Sequence, residues 1–412
     1  MKWGVSFLIV ILLISCREDE NPTRTLLTLT VDDSYKQHDT RADSTYVILQ
    51  TTDGELIDLK RVETGDVVTF DSEFSRDKMD VTIARIYPDA SGGGLANVWS
   101  YLDVPGGQTW TLRYSQVMYG TERQASETGS YNMVFENVSP IYAMAISDHY
   151  FSVNSRSTAS PPGVRAGIRK DIPKQLLSLH SSAGNPRYQF VNPKPDTLFM
   201  VDYNKMNEFD NVLSVSFSEP SFVYAHVMAY ETMEDYKYLT GYVLYDNAIS
   251  VATKKSVVSF GYLDNMPKFR TEVSASNGKT NVTYVSRGKM PERISLPKYD
   301  DVVLQEKTQA YVTYSSKIDV AYRISWFVST NFSPGTNGTA WYFHAPGGRS
   351  RHPTMPAVLL SKFPKIGAAA LRHSSSTFYT KSWTYDKFLE REFGKVRKGE
   401  EEEYEDVAVV VN

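Results

Sequence analysis

Along most of this chain apolar and polar residues alternate with a period of two, the spacing of a strand that turns one face to a core and the other to solvent. In Ile318-Val320-Tyr322-Ile324-Trp326-Val328 every second residue is apolar, and Lys317, Asp319, Arg323, Ser325 and Ser329 occupy most of the positions between them. That pattern predicts one long strand buried on its apolar side. Leu27-Leu29-Val31, Met79-Val81-Ile83, Trp110-Leu112-Tyr114, Leu213-Val215-Phe217 and Val258-Phe260-Tyr262 repeat it over shorter spans. Asp53-Gly54 and Asn277-Gly278 fall between such runs, and both dipeptides suit the positive φ angles of tight hairpin turns. Helical spacing is rare: Asp171-Ile172-Pro173 opens a short candidate through Leu176, Leu177 and Leu179, and Tyr385-Phe388-Leu389 forms another that should stop near Gly394. The prediction is an all-β chain of antiparallel β-sandwich domains, immunoglobulin-like or jelly-roll-like, with a few short helices.

The first twenty residues break the alternation. Lys2 precedes the apolar run Phe7-Leu8-Ile9-Val10-Ile11-Leu12-Leu13-Ile14, which ends in Ser15 and Cys16 and is followed at once by Arg17, Glu18, Asp19 and Glu20. A charged start, an apolar centre and a small residue before the cut form the layout of a signal peptide. The run is shorter than the ~20 apolar residues that cross a bilayer. Leu13-Ile14-Ser15-Cys16 resembles the lipobox of bacterial lipoproteins. That resemblance implies cleavage between Ser15 and Cys16, acylation of Cys16 with palmitate-type chains, and attachment to a membrane. Each buried methylene contributes about 0.8 kcal/mol, so several chains together hold effectively permanently. Glu18, Asp19 and Glu20 resemble the acidic export signal behind the cysteine of Bacteroidota-type surface lipoproteins. This implies an outer-membrane protein facing the cell exterior, with the periplasmic face as the alternative.

Cys16 is the single cysteine of 412 residues, so a lipidated mature chain has neither a thiol nor a disulfide. A disulfide-stapled fold and cysteine catalysis are both excluded. Net charge is −4, and −5 once Lys2 leaves with residues 1–15, so there is no basic surplus to hold nucleic acid. The 397 residues that remain (412 minus 15) suffice for two or three domains. Turn and charge signals divide the chain into a lipoprotein signal peptide (1–15), an acidic lipid-anchored tether (16–24), an N-terminal β-sandwich (25–115), a β-rich connecting region with an irregular segment around Ser160-Pro161-Pro162-Gly163 (116–187), one or two C-terminal β-rich domains (188–396) and an acidic tail (397–412). The turn Val104-Pro105-Gly106-Gly107 entering Thr109-Trp110-Thr111-Leu112 resembles β-rich modules of Bacteroidota lipoproteins. In the tail, Glu400 to Asp406 reads as a solvated segment, and Val407 to Val411 as a last strand at a sheet edge.

Candidate chemistry is sparse. His344, His352 and His373 fall within thirty residues, with Arg349, Arg351 and Arg372 around Ala345-Pro346-Gly347-Gly348. Basic neighbours and the lack of a close carboxylate argue against a metal there, and no cofactor is implied. The guanidinium groups suit an anion or sugar acid better. Asp148-His149 is half of an acid–base pair with no nucleophile context beside it. His226 belongs to the alternating series Phe222-Tyr224-His226-Met228-Tyr230 and should share that face. Aromatic residues make up 13% of the chain, mostly as expected core, with Tyr236-Lys237-Tyr238 and Trp341-Tyr342-Phe343 as candidate surface platforms for sugar rings or partner proteins. Asp43-Ser44-Thr45 and Asp196-Thr197-Leu198 resemble bacterial O-glycosylation acceptors. No catalytic residue pattern stands out. The sequence therefore favours a lipid-anchored envelope protein that binds or scaffolds a carbohydrate or surface-protein partner, against a polysaccharide hydrolase or a ligand-free spacer.

Overall fold

The period of two is realised as strands. The computed structural model describes residues 23–37, 44–73, 77–87, 95–113, 127–138, 141–148, 152–155, 164–169, 174–181, 185–217, 220–238, 240–250, 257–333, 338–364, 371–380, 383–394 and 403–412. They fall into two compact units, both all-β and sandwich-like. One is drawn from Met1–Tyr114, Ser333–Thr339 and Pro353–Ala368, and the other from Ser115–Phe332, Ala340–His352 and Ala369–Asn412.

In the first unit, strand Arg24–Val31 lies between Val67–Ser72, antiparallel to it, and Gln108–Leu112, parallel to it. A second run, ordered Leu56–Val62, Ser44–Thr51, Lys78–Tyr87, Leu95–Pro105, is antiparallel throughout. Asp53-Gly54 makes the expected hairpin, with Gly54 at φ 92° and its N–H donating to Thr51 O at 2.8 Å. Strand Ser44–Thr51 is buried on both faces. Its Tyr46 meets Phe363 edge to face at 5.8 Å, and Gln50 Nε2 donates to Thr354 O at 3.0 Å. The returning segment with helix Ala357–Lys362 thus covers the Tyr46–Ile48–Gln50 side, which explains an unbroken apolar run in a strand.

The second unit contains an antiparallel run of eight strands in the order Tyr242–Ser250, Phe222–Tyr230, Lys268–Ser276, Thr280–Gly288, Tyr404–Val411, Leu371–Tyr379, Tyr322–Ser329, Gly338–Pro346. A five-stranded sheet (Ser152–Ser155, Ile141–Ser147, Gln175–Ser181, Arg187–Val191, Asn207–Glu208) packs through Leu176 into the core that also holds Val227, Tyr245 and Phe260. Leu177 and Leu179 of the same strand enter another core with Tyr131 and Met133 from a three-stranded sheet, Val164–Arg169, Glu127–Glu136 and Leu198–Asp202. Strand Asn211–Ser216 pairs with Val257–Tyr262, and Val302–Lys307 with Val312–Ser316.

Four expectations change. The helix opening at Asp171 is replaced by strand Gln175–Ser181, residues 170–173 lying outside those described. Leu176, Leu177 and Leu179 face two cores at once, and a strand buried on both sides has the same continuous apolar signature as a short buried helix. The acidic tail is not a tail over its second half: Tyr404–Val411 is a strand, and it sits between two partners rather than at an edge. The long strand begins only at Tyr322, and its better-buried face is the polar one: Arg323, Ser325 and Phe327 are each 0% exposed, whereas Ile324 and Trp326 are half-buried. His226 does share its face with Tyr224, but that face is half-exposed, and the core takes Val223, Ala225, Val227 and Ala229. The second helix forms where expected, over Tyr385–Phe393, with Thr384 Oγ1 capping Lys387 N and Gly394 closing it.

Candidate binding cleft and a buried basic cluster

Ser15, Cys16, Glu18, Asp19 and Glu20 lie outside the described residues, as does His149. Asp148 is buried, with its Oδ2 3.6 Å from Arg169 Nε. Of the two glycosylation-like motifs, Ser44 and Thr45 are buried in a strand, while Thr197 is exposed on a turn. Of the aromatic platforms, Trp341-Tyr342-Phe343 proves to be largely core, and in the other the side chains of Lys237 and Tyr238 lie outside those described. Tyr236 is fully buried edge to face against Tyr230, Trp341 and Phe343 are buried, and Tyr342 stacks on Trp326 at 5.7 Å.

The pleat divides the three clustered histidines. Cross-strand neighbours share a face. Pairing of Ile324 with His344, and of Phe327 with His373, therefore sends His344 and His373 to opposite sides. His344 stacks on Phe388 of the helix at 5.2 Å. His352 and His373 instead gather around Arg323, which the alternating pattern assigns to the solvent face of its strand. Arg323 Nη1 donates to Ser325 Oγ at 2.5 Å, and Nη2 to Arg349 O at 2.8 Å. Ser325 Oγ contacts Ser376 Oγ at 2.8 Å, which contacts His373 Nε2 at 2.9 Å. No carboxylate pairs with Arg323 among the ion pairs of the described residues. Burial pulls its guanidinium down to about 10 and, joined by the nearby cations, takes His352 to about 3 and His373 to about 4. Ser376 is fully buried, so the Ser–His contact serves the strand interior and not a substrate. Arg351 and Arg372 remain exposed.

A feature of ligand size among the described residues lies elsewhere in the second unit. A cleft of about 450 Å³ is lined from strand Thr280–Gly288 and the segment after it, from the start of helix Tyr385–Phe393, and from strand Tyr404–Val411. Trp383, Tyr404, Arg287, Lys289, Lys387 and Glu405 are among its walls. Arg391 braces it from behind, with its guanidinium 4.4 Å from the Trp383 ring and 5.1 Å from that of Tyr404. Arg287 is tied back by Nη2 donating to Tyr236 O at 2.7 Å. Glu403 is ion-paired with Lys268, which holds its carboxyl below the usual range. Its approach to the neighbouring strand depends on Gly288, at φ 129°, where a Cβ would stand 2.7 Å from Glu403 Cγ. Behind the cleft, burial pushes Asp406 up to about 7 against the pull of Arg391. Sequence reading missed this site because its walls come from residues 284–292 and from residues 383–405, more than ninety positions further on, part of them in the supposed tail.

Chemically the cleft offers ammonium donors from Lys289 and Lys387, carboxylate acceptors from Glu292 and Glu405, and aromatic edges. The arrangement is suited to holding a polar ligand.

No family model matches the chain, and no curated protein matches it. Among solved structures it is similar to a bacterial ice-binding adhesin of 1.5 MDa, studied for host cell surface retention, at 10% identity over 57% of this chain and 82% of the other, with a TM-score of 0.12. A Ca2+-stabilized adhesin of an Antarctic bacterium that binds ice is 8% identical over 87% and 95% of the two chains, with a TM-score of 0.13. A tetra-tandem repeat from the extending region of a large adhesion protein is 10% identical over 94% and 99%, with a TM-score of 0.13. At these scores the chain paths do not superpose, and neither fold nor function here rests on the likeness.

Proposed function

We propose that this chain is a lipid-anchored binding module on the outer face of the outer membrane, holding a carbohydrate ligand in the cleft beside Trp383 and Tyr404. The cleft carries the reading: about 450 Å³ falls within the ~300–1,000 Å³ of small-ligand sites, and its walls combine aromatic edges with separated donors and acceptors. A saccharide presents hydroxyls that both donate and accept along with apolar ring faces, which matches such a lining. The lipobox-like Leu13-Ile14-Ser15-Cys16 and the acidic Glu18-Asp19-Glu20 support the anchor and its outward orientation.

A glycan array probed with the full-length protein in detergent tests the ligand. At least one glycan is expected to bind, and Lys387→Glu together with Lys289→Glu should weaken it by tenfold or more. Binding that is indifferent to both substitutions rules out the cleft. Silence on the array with capture of a purified envelope protein in its place rules out the carbohydrate.

A further inference from the structure

The hairpin 302–316 lies against the large core of the second unit. Val302 and Val312 are buried, and Leu304 and Tyr314 pack on that core, Tyr314 with its ring 4.7 Å from that of Phe378. Its tip is fastened from outside the hairpin by the loop after strand Gly338–Pro346. His352 N donates to Ala310 O at 2.8 Å, and Val312 N donates to Ser350 O at 3.0 Å. The His352 ring adds a third tie, its Nδ1 lying 3.0 Å from Gln309 O. A carbonyl only accepts, so Nδ1 carries the proton and Nε2 of the neutral ring is an acceptor. Nε2 stands 3.4 Å from both Nη1 and Nη2 of Arg323, a cation with no exposure.

That arrangement tolerates only a neutral ring. The charged or titratable groups acting on His352 are Arg323 from strand Tyr322–Ser329, Arg349 from its own loop and His373 from strand Leu371–Tyr379. Lys307 and Arg323 act in turn on His373. All are basic, and the hairpin tip supplies only a carbonyl. A proton on Nε2 would set a second donor against the two Nη groups, with no carboxylate among the groups that act on the ring. The ring is also stacked on Phe343 at 4.0 Å, so it has little room to turn away while the loop stays in place.

The geometry points to hairpin 302–316 being an acid-released strap, closed while His352 is neutral and let go when Nε2 takes a proton beside Arg323. Release uncovers the apolar side of the hairpin, Val302, Leu304, Val312 and Tyr314. The freed ring titrates near its ordinary value of 6.5 and the clamped ring only near 3. The open form therefore gains about tenfold for each pH unit below 6.5.

Hydrogen exchange of the full-length protein in detergent, between pH 7.5 and 5 and corrected for intrinsic rates, tests this. Peptides within 302–316 should exchange through an opening of their own, less protected than strands Lys268–Ser276 and Thr280–Gly288 at every pH. Their protection should fall about tenfold per unit below 6.5. His352→Gln keeps a donor and an acceptor but does not titrate, and should flatten that response. Arg323→Met should blunt it by removing the cation that Nε2 faces. Equal protection of strap and sheet at each pH, a strap response flat in pH, or an unchanged response in a folded His352→Gln overturns the proposal. If neither variant folds, the wild-type comparison of strap with sheet decides it.

Discussion

His180, His352 and His373 are held neutral by burial, which takes His180 to about 4, His352 to about 3 and His373 to about 4. In the unfolded chain each takes up a proton near 6.5, so between 6.5 and about 4 the unfolded state binds more protons than the folded one. Stability is therefore complete above about pH 6.5 and declines as pH falls, by up to roughly 1.4 kcal/mol per unit for each fully buried ring, and less for the part-exposed His373. Urea midpoints measured at pH 7.5, 6.5 and 5.5 should fall less in His352→Gln than in the wild type, with the largest difference across the last step. Asp406 acts in the opposite sense. Its folded carboxyl keeps a proton up to about 7 whereas the unfolded one releases it near 3.8, so raising the pH through that range costs stability. Asp406→Asn should raise the free energy of urea unfolding at pH 8 by on the order of 1–2 kcal/mol and leave it unchanged at pH 4. None of these environments is visible in sequence. Arg323 and Ser325 sit at the polar positions of an alternating strand, and only the partner strands decide that the polar side turns inward.

Strand Tyr404–Val411 shows how much one element depends on its neighbours. Read alone it is an acidic run with five apolar residues at a chain end, yet it pairs with Thr280–Gly288 on one side and Leu371–Tyr379 on the other. Its Val409 is fully buried in the large core. A chain ending at Glu403 leaves both partners with open edges and uncovers that core. It should lose cooperative thermal unfolding of the second unit, which circular dichroism would register as a broad, shifted transition. Leu177 makes the corresponding case for strand Gln175–Ser181. Leu177→Ala should cost about 2–5 kcal/mol in denaturant unfolding, as for a large residue removed from a closed core, whereas a residue on an exposed helix face would cost far less. The hairpins at Gly54 and Gly278 and the helix from Tyr385 were legible because each rests on local chemistry: a positive φ, or a capping hydroxyl followed by an amphipathic stretch. The strand at Gln175 was not, because burial on both faces erases the period.

At the scale of the whole molecule, the proposed attachment through Cys16 and the proposed outward orientation are tested by different variants. Cys16→Ala should move the protein from the membrane fraction to the soluble one, read by fractionation and immunoblot. Replacing Glu18, Asp19 and Glu20 with Ala should leave it membrane-bound but protected from protease added to intact cells, while the wild type is shaved. A wild-type protein that resists shaving alongside susceptible surface proteins is not outward-facing. The cleft also belongs to this scale, since Lys289, Trp383 and Glu405 meet only when segments more than ninety residues apart come together.

The sequence by itself determined the strand-rich class, the hairpin turns, the sole cysteine and the signal-like start, because each depends on neighbours within a few positions and on the residues' own conformational preferences. Tertiary structure alone decided which face of Tyr322–Ser329 is buried, that the apparent tail is an inner strand, that His344 parts from His352 and His373, and where a ligand-sized cleft opens. Those outcomes follow from strand pairing and layer packing between distant segments, and an alternating pattern is the same whichever of its faces the rest of the chain covers.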